Sequence, residues 1–149
     1  MKRIFSILLV MIFMLTFLPV VGNAAEKVEM IYFDDGSYMT IEIAYSPARA
    51  TWSVTGNKQY TYYDSSSVSQ WKAVLTGTFS YTGTSSTCTA SSVNVTIYDS
   101  SWYVISKSAS KSGNKATAAV TMGDKADGVT IMKIPVSLTL TCDANGNLS

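Results

Sequence analysis

Apolar and polar residues alternate with a period of two through most of the chain. Met39, Ile41 and Ile43 alternate with Thr40 and Glu42, and Val93, Val95 and Ile97 with Asn94 and Thr96. Trp71, Ala73 and Leu75 keep one phase, which Phe79 continues. Val136, Leu138, Leu140 and Cys142 alternate with Ser137, Thr139 and Thr141. A period of two puts each apolar set on one face of a strand, packed on a second layer, with the Ser and Thr set toward water. No stretch holds a 3.6-residue period long enough for an amphipathic helix.

Turn residues punctuate these runs. Asp34-Asp35-Gly36 predicts a hairpin between 28–33 and 37–45. Gly56-Asn57 reads as a turn before a strand at 58–63, and Asp64 to Ser67 as the turn after it. Gly83, Asp99-Ser100-Ser101, Ser112-Gly113-Asn114, the stretch from Gly123 to Gly128, and Asn145-Gly146 bound the rest. About eight short strands result, the pattern of an all-β fold. We expect an immunoglobulin-like antiparallel β-sandwich, a single domain over 26–149. Pro135 interrupts the apolar run 129–140, so this run is either two pieces or one bent strand, and the proline marks an edge or a bulge.

Residues 1–25 have another pattern. Lys2 and Arg3 precede an almost wholly apolar run from Ile4 to Val21, closed by Gly22, Asn23, Ala24 and Ala25. That order is a secretory signal peptide with cleavage near Ala24-Ala25, giving a secreted, extracellular chain that starts at Ala25 or Glu26. The alternative is an uncleaved membrane anchor, and Pro19 and the small residues favour cleavage.

Composition removes several functions. The chain carries 11 Lys+Arg, 10 Asp+Glu and no His. A near-neutral chain lacks the positive field that nucleic acid or an anionic membrane surface requires. Without His there is no imidazole acid, base or metal ligand. We therefore expect no cofactor, no metal and no nucleic-acid partner, and no membrane contact after signal cleavage.

Cys88 and Cys142 are the only cysteines. In an exported chain they are expected to form a disulfide worth about 4 kcal/mol in the chain-entropy model. Cys142 shares the core phase of Leu140, whereas Cys88 has the opposite parity to Val93 and Val95, so a bulge near Ser91-Ser92 is needed. Two buried free thiols are the alternative.

Catalytic motifs do not survive inspection. Ser108-Ala109-Ser110-Lys111 matches a Ser-x-x-Lys pattern, but it lies in a Ser/Lys-rich turn without the fold that motif needs. Asp34, Asp35, Asp124 and Asp127 sit in turns, where Asp ordinarily caps backbone N–H groups. Asp143-Ala144-Asn145-Gly146-Asn147 starts like a calcium loop, but its glycine comes too early and no bidentate Glu follows. Aromatic residues hold more promise. Tyr60 and Tyr62 share one face of a strand and Tyr63 takes the other, so one face is exposed or covered by a loop. With Trp52 they are the candidate ligand-binding residues, offering rigid apolar faces to a sugar or a protein. Trp71 and Trp102 read as core.

The segments Trp71-Lys72, Leu75 to Tyr81, Cys88-Thr89, Ile97 to Trp102, Lys111 to Asn114 and Leu140 to Ser149 resemble small exported proteins of Gram-positive bacteria that carry no assigned function. The resemblance implies export and adds no activity or catalytic residue. The expected function is a secreted, non-enzymatic β-sandwich module binding an extracellular protein or glycan at or near the bacterial cell surface. The alternatives are a self-assembling structural surface protein and a small hydrolase that uses carboxylates alone.

Overall fold

A computed structural model describes residues 24–47 and 52–149. The expected signal segment therefore lies outside the described residues, except for Ala24 and Ala25, which open the first strand. Eight strands follow in order: β1 (Ala24–Tyr32), β2 (Tyr38–Pro47), β3 (Ser53–Tyr63), β4 (Ser69–Tyr81), β5 (Ser86–Ile97), β6 (Trp102–Ser112), β7 (Lys115–Ala126) and β8 (Val129–Thr141). They form two antiparallel sheets, β1-β2-β3-β4-β5 and β6-β7-β8. The all-β sandwich is thus observed, with β4 lying over β7 and β3 over β8.

The immunoglobulin-like expectation needs correction. That fold interleaves its strands between sheets through Greek-key connections. Here every hydrogen-bonded neighbour is a neighbour in sequence, so each sheet is a plain meander. The chain changes sheets once, through Tyr98–Ser101, where the N–H groups of Tyr98 and Asp99 donate to the Gln70 carbonyl. Period and turn spacing are the same in both topologies, because both are built from short antiparallel strands.

The inner faces carry the predicted phases. Trp71, Ala73, Leu75 and Phe79 of β4 meet Ala116, Ala118, Val120 and Met122 of β7 and Val136, Leu138 and Leu140 of β8 in one core. Gly77 leaves room for the Phe79 ring and for Ala116 opposite, so small residues set the sheet spacing there. Val93 and Val95 are only half-buried, because β5 is a sheet edge. Asp34-Asp35-Gly36 makes the predicted hairpin, with Gly36 at φ 83° and its N–H bonded to the Phe33 carbonyl at 3.1 Å.

Several local expectations shift. Gly56-Asn57 is inside β3 and not in a turn, and Leu148 and Tyr45 fill the space a side chain at Gly56 would take. The turn expected at Gly123 to Gly128 shrinks to Asp127-Gly128, both with positive φ. Run 129–140 is one strand, and Pro135 sits on a sheet edge as expected. The bulge that turns Cys88 inward lies at Thr89, since Thr78 pairs with Ala90 and Phe79 with Cys88.

The disulfide is also corrected. Cys88 and Cys142 are free, buried thiols. Each has a carbonyl partner of its own, Ala90 O at 3.2 Å for Cys88 Sγ and Asp143 O at 3.3 Å for Cys142 Sγ. Their N–H groups are tied to the β6–β7 turn, at Gly113 O and Asn114 O. Strand packing and this turn hold the region without a covalent link. Burial pushes both thiols above the usual range.

Candidate functional site: an apolar cleft at the open edge

A five-stranded sheet over a three-stranded one leaves an overhang. The β5 and β6 side is closed by the crossover, and the opposite side, bounded by β1 and β8, is open. A cleft of about 490 Å³ lies there between the layers. One wall is Ile31 and Phe33 at the end of β1, Met39 of β2, and Tyr60 and Tyr62 of β3. The other is the β8 stretch from Met132 to Ser137.

The surroundings are unusually apolar for a surface. Of the thirteen most exposed large apolar side chains among the described residues, three line this opening: Ile31, Phe33 and Met132. Val28, Met30 and Tyr32 alternate with Ile31 along β1 and are exposed on its other, outward face, with the Tyr32 hydroxyl on Met30 Sδ at 3.3 Å. Val129 and Ile131 are exposed at the start of β8, just before its cleft-lining stretch. Clustered exposure on this scale marks an interaction surface, whereas scattered single residues would need no explanation.

Polar groups are few on the lining. Asp35, Ser37, Lys133 and Ser137 supply them. The Asp35 carboxylate accepts the Ser37 hydroxyl at 2.5 Å and the Ser37 N–H at 2.9 Å. Those bonds, the hydroxyl's first, hold it below the usual carboxylate range. It is the one carboxylate on the lining, so the paired acids of a carboxylate hydrolase do not meet there. Burial pushes the Tyr60 phenol up, with Glu29 adding to the shift. Burial does the same to Tyr62, against a hydrogen bond to Ser37.

The four sequence candidates separate. Tyr62 is 4% exposed and belongs to the core, stacked on Trp71 at 5.6 Å and edge-on to Trp102 and Phe33. Tyr60 is half-buried on the cleft wall. Tyr63 faces outward and stacks on Tyr38 at 4.7 Å, and Tyr38 in turn meets Tyr32 at 5.8 Å. The register makes this a cross-strand ladder, Tyr32 opposite Tyr38 and Tyr38 opposite Tyr63. Tyr32 is the open last rung, 70% exposed. Trp52 is 67% exposed at the other end of β3, edge-on to Tyr81. One continuous aromatic platform is therefore not built.

Sequence reasoning missed the cleft's aliphatic walls. A signal was available: Met30-Ile31-Tyr32-Phe33 is apolar on both faces of a strand, the pattern of a strand covered on both sides. At the β1 edge such a run has no covering strand among the described residues. Comparison with protein-family models, with curated proteins and with solved structures finds no match to this chain.

Proposed function

We propose that this chain is a secreted, non-enzymatic module that binds an extracellular protein in the cleft between β1–β3 and β8. The observation that carries the reading is the apolar cleft of about 490 Å³, whose lining includes the exposed side chains of Ile31, Phe33 and Met132. Its volume falls in the range of ligand-binding clefts. Its walls favour a protein over a glycan, because a sugar needs polar partners around a stacking ring and this lining offers few. The described turn aspartates support a non-catalytic role. Asp35, Asp64, Asp99 and Asp143 each spend their carboxylate on N–H groups of their own turn. Export follows from the leader-like first 25 residues. Mass spectrometry of the secreted chain is expected to find an N-terminus at Ala25 or Glu26, and an intact Met1 refutes export by cleavage.

The binding test is a displayed library of extracellular peptides beside a glycan array. Apolar peptides should be selected, and Ile31→Lys should lower their retention about tenfold or more. Glycan hits that depend on Trp52 or Tyr63 and ignore Ile31 overturn the reading. A second reading, self-assembly through β1, is favoured by the open Tyr32 rung on an unpaired edge. Light scattering that finds only monomer at high concentration removes it.

A further inference from the structure

The C-terminal tail reveals what the free edge of β8 accepts. Thr141 and Ser149 exchange both backbone bonds, at 2.8 and 3.0 Å, and Cys142 bridges Leu148. The tail thus lies antiparallel along the end of β8 as a short fourth strand of the smaller sheet. Leu148 points inward and is buried against β3 at Gly56.

An antiparallel strand turns the N–H and C=O of one residue to the same side and alternates sides along the chain. Thr141 faces the tail, and Cys142 N–H goes the other way, to Asn114 O. The pairing of β7 with β8 is unbroken from Met132 to Thr141. It follows that Thr139, Ser137 and Pro135 also turn their backbone polar groups to the open side. Ser137 and Thr139 are exposed. Pro135 has no N–H to offer there, so it costs the β7 ladder nothing and ends the stretch able to accept a strand. The acceptor stretch runs from the tail to Pro135, and its far end opens into the cleft.

We propose that this stretch of β8 is a strand acceptor for an extended segment of a partner protein that is apolar at alternate positions. The segment adds to β8 at Ser137 and Thr139, in line with the tail, and turns its apolar side chains toward Tyr60, Ile31 and Phe33. It continues an interface the chain already makes with itself, and the tail shows that a lone segment with one inward Leu fits that layer. Main-chain bonds supply the affinity and the cleft selects the side chains. The proposal rests on the cleft reading above and adds the partner's conformation.

The test extends the full mature chain past Ser149 by a hexapeptide of alternating valine and threonine, with valine first so that it follows the inward phase of Leu148. Hydrogen exchange at the Ser137 and Thr139 amides should slow by about tenfold or more. The same six residues in opposite phase should protect less. The free hexapeptide at millimolar concentration should protect the same amides, and Ser137→Pro, which removes only an outward N–H, should fold normally and abolish the protection at Thr139. Protection at β1 in place of β8, unchanged exchange in the extended chain, or a free peptide without effect overturns the proposal. So does a concentration-dependent dimer of the unextended chain that Ser137→Pro dissolves, because the occupant is then a second copy. Free-peptide binding lost in Ile31→Lys but kept in Ser137→Pro leaves the cleft standing and refutes strand addition. Binding indifferent to both substitutions refutes the two readings together.

Discussion

Leu138 shows how much a single inward position carries. It is fully buried between the sheets, under β3 and β4. Truncation to Ala removes its contacts and leaves a cavity that two hydrogen-bonded sheets cannot close. Leu138→Ala should lower stability by about 3 kcal/mol in urea unfolding. The cysteines are equally enclosed, and burial favours the neutral thiol in both. Alkylation by iodoacetamide at pH 8 should be about a hundredfold slower in the native chain than in guanidinium. Rapid native alkylation would contradict the packing around Gly113-Asn114. Phase in the sequence marked both residues as inward, with a bulge required for Cys88. Whether the sulfurs join was invisible there, because two inward positions on different strands do not fix a sulfur–sulfur vector.

At the scale of elements, turns and tail matter most. Asp143 accepts the N–H groups of Asn145 and Asn147 and the Asn147 side-chain amide, at 2.8 to 2.9 Å. These bonds reverse the chain so that Leu148 returns to the core. Asp143→Ala should free the tail, and the Thr141 and Ser149 amides should then exchange about tenfold faster. Strand positions and most turns were legible from alternation and from Gly and Asp placement. Gly56 was not, since a glycine in a strand and a glycine in a turn look alike until Leu148 is seen in the space it leaves. Pro135 announced an edge or a bulge from its chemistry alone, and the sheet order makes it an edge whose open side the tail's pairing then shows.

For the whole molecule, acid should act through the turns. Hydrogen bonds from Ser37, Ser101 and Asn147 hold Asp35, Asp99 and Asp143 below the usual range. A carboxylate whose folded pKa is depressed stabilises the fold above its unfolded value, near about 4, and that stability is lost as pH falls through the folded value. Thermal unfolding should be nearly flat from about pH 7 to pH 5 and shift downward below about pH 4. A melting temperature that rises on acidification would contradict these bonds. The sequence by itself determined the strand character, the inward phases, most of the turns and the absence of imidazole chemistry, because each depends on residues close in the chain or on counts. The tertiary structure alone decided the strand order, the unequal sheets and the cleft between them. Those depend on which strands share an edge, and period-two patterning specifies a face without naming the strand beside it or the layer it meets. The candidate site is the place where these two kinds of information part. Tyr60 and Tyr62 drew notice as aromatics, but Ile31, Met39 and Val136 looked like ordinary strand interior, and only the unequal width of the two sheets opens a cleft among them.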